Sequence, residues 1–146
     1  DCAYAGDASV REMARAAGCE ASLRLTGRLP HRAALAELVR SDLLLLLAVG
    51  QPDQIPAKAY EYAAAGPPIL ALVEPGATSD FLAEAADADV LFDADPHGIA
   101  QVLLERLHHA ARNGEAAWRL PDGVARFDRR VLARELAGLL DDVRVA

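Results

Sequence analysis

Apolar positions along this chain follow two rhythms. Unbroken apolar runs bounded by turn residues predict buried strands, and stretches with an apolar residue every three or four positions predict amphipathic helices. The longest run covers residues 43–49 and stops at Gly50 and Pro52. It is too short to cross a bilayer and predicts a strand covered on both faces, as in a parallel sheet. Pro56 opens a helix, because the first turn does not need its missing N–H. Gly66 ends that helix, and Pro67-Pro68 forbid its continuation. Pro68 is tolerated at a strand start, so Ile69–Val73 is the next predicted strand. Two buried strands joined through one helix make a βαβ unit.

The flanking segments repeat that unit. Residues 2–5 read as the end of a strand, followed by a Gly6-Asp7 turn and a helix over 10–17 capped by Ser9. Residues 22–26 alternate around Leu23 and Leu25 and predict a short strand. His31–Arg40 carries Leu35, Leu38 and Val39 on one helical stripe. After the Glu74-Pro75-Gly76 turn, Thr78 or Ser79 caps a helix through Phe81, Leu82, Ala85 and Ala86. A brief strand at 89–92 precedes Asp95, a cap, and Pro96, a helix opener. Ile99, Val102, Leu103 and Leu107 form the next stripe, with His108, His109 and Arg112 suited to its C-terminal end. Asn113-Gly114 stops it, and the segment around Trp118 is a linker. Phe127, Val131, Leu132, Leu136, Leu139, Leu140 and Val143 mark a last amphipathic helix capped by Asp128 or entered near it. Five β-α repeats and a C-terminal helix predict an α/β fold: a three-layer open parallel sheet, Rossmann- or flavodoxin-like. Ligands of such sheets bind beyond the carboxyl ends of the strands, so the loop over 50–55 is the first candidate site.

A length of 146 residues fits one domain, residues 1–146, and 53% hydrophobic content supports a core. Net charge is −7 without a Lys/Arg-rich run, which argues against a nucleic-acid partner. A small anionic ligand stays open, since it needs only local N–H groups. Cys2 and Cys19 lack metal spacing; parity permits a disulfide, and two buried or partly buried thiols are the favoured state. No signal peptide or membrane-spanning helix is predicted.

Lys58 and Glu61 lie three apart on the Pro56 helix and share a face, with Asp53, Gln51 and Gln54 in the loop before it. A helix carboxylate can hold a vicinal diol, and the first-turn amides favour a phosphate. The plain alternative is Asp53 as a cap and Lys58–Glu61 as an exposed ion pair. Tyr60 and Tyr62 read as packing residues. Thr78 and Ser79 could meet a phosphate or simply cap a helix, and His31 reads as a surface histidine. His97, His108 and His109 have no metal-ligand spacing, and neither a GxGxxG loop nor a P-loop is present. A phosphoacceptor module is disfavoured, because Asp7 stands alone and the only lysine is Lys58.

The segment IPAKAYEYAAAGPPILAL resembles the donor-binding segment of GT-B glycosyltransferases, group 1 or family 4-like. That family has a Lys-x-x-Glu helix, then an Ala-x-Gly-x-Pro turn and strand. The passages LRLTGRLPHRAALAELVRSDLLLLL, VLFDADPHGIAQVLLERL and FDRRVLARELAGLL are similar to its flanking elements. The resemblance implies that Asp53 and Glu61 are its paired acidic residues, with aspartate in place of the commoner first glutamate. Glu61 would bind the ribose hydroxyls and Asp53 would approach the donor sugar. Backbone amides near Gln54 and Ile55 would lie by the diphosphate or sugar; Lys58 is a family-like feature beside them, and Thr78 is a further candidate for the ligand from its own turn. The implied substrate is a nucleoside-diphosphate sugar, with no cofactor and no metal in this segment. The implied parent enzyme is cytoplasmic, compatible with peripheral association at the inner face of the membrane.

The family also has an N-terminal acceptor domain and a first C-domain strand that have no counterpart here. The segment alone is therefore not expected to turn over. If residues 2–5 match the family's second C-domain strand, the order 3-2-1-4-5-6 would leave a gap. Closure to a five-stranded order 2-1-3-4-5 is expected, since bare apolar edges invite pairing. A non-catalytic nucleotide- or carbohydrate-binding module of flavodoxin-like fold is the alternative reading.

Overall fold

The computed structural model describes residues 7–93, 95–113 and 122–145. The chain separates into two compact units, Asp1–Glu37 and Leu38–Ala146. In the first unit, helix α1 (Asp7–Ala16) starts before the predicted Ser9 cap. It closes where the Cys19 amide donates to Ala14 and Gly18 adopts a φ of 71°. A single 3-10 turn (Glu20–Ser22) follows, and Arg15 pairs with Glu20 across 2.8 Å. Cys19 is a free, exposed thiol, so the expectation of burial fails there. Residues 22–26 do not form the predicted strand. Three of the five, Ser22, Arg24 and Thr26, are polar and exposed, and Arg24 instead reaches Glu37 at 2.8 Å. The predicted strand at 2–5 lies outside the described residues.

Helix α2 (His31–Arg40) leads to β1 (Leu44–Ala48), α3 (Ala57–Ala65), β2 (Ile69–Val73), α4 (Ala77–Ala85) and β3 (Ala88–Leu91). Helix α5 (Pro96–Asn113), a 3-10 turn (Asp122–Phe127) and α6 (Arg129–Val145) complete the chain. Among the described residues the sheet has three parallel strands in the order β1-β2-β3, not five. The flavodoxin-like closure is therefore not formed by them, and β1 pairs on one edge only. The architecture is α/β with an open parallel sheet, compatible with a Rossmann-like arrangement.

Sequence explains how the second unit packs. Leu44, Leu46, Ile69, Ala71 and Val73 point to one face of the sheet, alternating with their neighbours as a strand requires. Ala59 and Ala63 of α3 are small enough to sit against that face, and Phe81, Leu82 and Ala85 of α4 complete the cluster. Tyr60, Phe81 and Phe127 join α3, α4 and the second 3-10 turn, with ring centroids 4.6–5.4 Å apart. Gly123 permits that turn to approach α4: a Cβ there would lie 2.2 Å from the Glu84 carbonyl oxygen.

On the opposite face, Leu70 is buried but Leu45 and Leu47 of β1 are 52% and 64% exposed. This overturns the expectation of a strand covered on both sides. Helix α5 packs against β3, where Arg106 forks onto both Asp87 oxygens and reaches Asp89. Asp95 caps α5 through the His97 and Gly98 amides, and Asp128 caps α6 through Arg130, as their positions predict.

Candidate functional site

β1 delivers the chain to a loop over residues 49–56 at its carboxyl end. The loop turns where the Gln54 amide donates to Gln51 at 3.2 Å. Pro56, at φ −65° and ψ 143°, then precedes α3, and no side chain caps the helix. Asp53 is exposed and is not the cap. Lys58 and Glu61 are exposed as well, and no ion pair joins them. Glu61 projects from the side of α3 opposite the buried Ala59 and Ala63, two positions from each.

β2 delivers a second loop beside the first, and the two are tied together. The Gly50 amide donates to Glu74 Oε2 at 3.1 Å. The Ala77 amide donates to the Pro52 carbonyl at 2.8 Å, and Thr78 Oγ1 donates to the Gln54 carbonyl at 2.8 Å. Ser79 Oγ accepts from the Gly76 amide and donates to the Gly76 carbonyl, which makes Ser79 the hydroxyl that closes the α4 entrance. These contacts require Gly76. Its φ is +150°, and a Cβ there would come 2.3 Å from the Pro52 carbonyl oxygen.

The sequence-derived site residues therefore divide into two groups. Asp53, Gln54, Lys58 and Glu61 are exposed on one connection, the loop and first turns of α3. Ile55 is half-buried against the core, and Thr78 is 3% exposed with its hydroxyl directed at Gln54. Thr78 is thus not a free donor for a phosphate. Sequence reasoning missed the parts played by Glu74 and Gly76. The available signal was a glycine between Pro75 and a helix start, a position where close backbone approach is common.

A separate hollow of about 170 Å³ lies between β3 and α5, lined by Asp89, Val102, Glu105, Arg106 and His109. It contains none of the predicted residues and is smaller than a typical ligand pocket. Hydrogen bonds that it donates to Asp87, then to Asp89, raise the Arg106 pKa above its ordinary value, so that guanidinium is committed to the protein. Among the described residues no cluster of three or more His, Cys, Asp or Glu is placed to hold a metal. No helix among them is long and apolar enough to cross a membrane. Comparison of the chain with family models, curated proteins and solved structures returns no match.

Proposed function

We propose that this chain is the donor-binding part of a GT-B-type glycosyltransferase, which moves a sugar from a nucleoside diphosphate to a hydroxyl acceptor with retention. One observation carries the reading: Asp53 stands exposed in the loop after β1 and Lys58 and Glu61 on the solvent side of α3, with none spent as a cap or in an ion pair. The plain roles that their spacing allows are not taken. Glu61 would accept the ribose hydroxyls, Asp53 would approach the sugar, and amides near Gln54 and Ile55 would face the diphosphate. With Glu61 on the solvent side of α3, the nucleoside would lie along the outer flank of that helix. The chain's contribution would be to position the donor and stabilise charge on the departing diphosphate.

Calorimetric titration with UDP, GDP and TDP sugars tests this on the wild type and Glu61→Ala. Loss of a charged hydrogen-bond pair predicts weakening by about 10- to 100-fold. Equal binding by both proteins removes Glu61 from the site and the reading with it. A non-catalytic nucleotide- or carbohydrate-binding role is the second reading, favoured by the one-sided exposure of these residues. Sugar transfer to an acceptor after pairing with an acceptor domain separates the two.

A further inference from the structure

We infer that Thr78 is a positioning residue for the β1–α3 loop, and that the loops after β1 and β2 act as one ligand-holding unit. The second half of this inference rests on the donor-site reading; the first half does not. Thr78 is 3% exposed, and its Oγ1 donates 2.8 Å to the carbonyl of Gln54, inside the candidate site. One residue earlier, the Ala77 amide donates 2.8 Å to the Pro52 carbonyl. The Gly50 amide and Glu74 Oε2 add a third link at 3.1 Å. Three bonds thus bracket Asp53 from both sides, at residues 50, 52 and 54. Nothing on the loop's own helix does this, since α3 has no side-chain cap.

The geometry follows from chain chemistry. Gly76 leaves the space that brings the Pro52 carbonyl against the start of α4. The second residue of α4 then lies level with Gln54, and a β-branched hydroxyl there has few rotamers to lose on binding a carbonyl. The carbonyls of Pro52 and Gln54 point into α4, which orients the intervening peptide units away from it. Asp53 is left exposed to solvent. A ligand touching Asp53 is therefore felt at α4, although no α4 side chain reaches it.

Thr78→Val keeps the shape and removes the donor; Thr78→Ser restores the donor. Amide hydrogen exchange is measured for both and for the wild type. Exchange at the Gln54 and Ala77 amides is expected to quicken about tenfold or more in Thr78→Val, with β2 amides unchanged and Thr78→Ser near wild type. Titration with UDP, GDP and TDP sugars is expected to show about tenfold weaker binding in Thr78→Val and recovery in Thr78→Ser. Unchanged exchange over residues 51–55 overturns the assignment. Equal loss of protection in the loop and β2 also overturns it, because Thr78 would then serve the core as a whole. If Thr78→Val does not fold, Thr78→Ala removes the same bond and is read the same way. Donor affinity that falls in Glu61→Ala but holds in Thr78→Val leaves the donor site standing and overturns the coupling. If the wild type takes none of the nucleotide sugars, the donor reading fails, and exchange alone decides the role of Thr78.

Discussion

Gly76 stands so close to Pro52 that a single added carbon would sit 2.3 Å from the proline's carbonyl oxygen. The same residue holds a φ of +150°, which side-chain-bearing residues rarely adopt. Gly76→Ala must therefore displace a backbone carbonyl and strain its own backbone. The expected loss is about 3 kcal/mol, read from urea midpoints at unchanged slope.

Asp53 and Glu61 are expected to behave in the opposite way. Both are exposed and make no side-chain bond, so Asp53→Asn and Glu61→Gln change stability by less than about 0.5 kcal/mol. Thermal melts of both variants beside the titrations above separate a binding role from a structural one. A melt lowered by several degrees in Glu61→Gln would show a structural role for the carboxylate.

Arg106 clamps α5 to β3 with one forked contact to Asp87 and one to Asp89. Arg106→Gln is expected to cost about 1 kcal/mol, discounted for solvent screening because Asp87 is largely exposed. Those carboxylates raise the pKa of the arginine. A raised value means its contribution is fully present below the unfolded value and is lost only as pH climbs through the folded one. The difference between variant and wild type is thus expected to be the same at about pH 7 and pH 10, measured by urea unfolding.

Phe81 is the middle ring of the cluster that joins α3, α4 and the second 3-10 turn, and it is 4% exposed. Phe81→Ala is expected to lose about 3–4 kcal/mol in urea unfolding, and Phe81→Leu much less. The cavity would open at the site where Tyr60 and Phe127 also meet.

What could be read in advance was whatever depends on local chemistry. The bounds of Ile69–Val73 are legible because Pro67-Pro68 and Glu74-Pro75-Gly76 leave it no other length. His31–Arg40 was bounded by Pro30 and its own stripe. Asp95 and Asp128 cap where their positions indicate. What failed depends on partners distant in sequence. The alternation around Leu23 and Leu25 predicts a strand only if an edge accepts it, and Arg24 pairs with Glu37 instead. The all-leucine run of β1 carries no mark of which face is covered. In the candidate site, the exposed acidic loop was legible from its turn residues. Thr78 was not, because its hydrogen bond depends on how closely Gly76 lets two loops approach.

The bare outer face of β1 has a calorimetric consequence. Burial is concentrated where α3 and α4 meet the strands, while Leu45, Leu47 and Val49 already meet water in the native state. Melting wets less new hydrocarbon than a sheet sandwiched by helices would. The heat-capacity step on unfolding is accordingly expected to fall below the roughly 12–15 cal/mol/K per residue usual for globular chains. A smaller step flattens the stability curve, and an agent that shields those three side chains would steepen it.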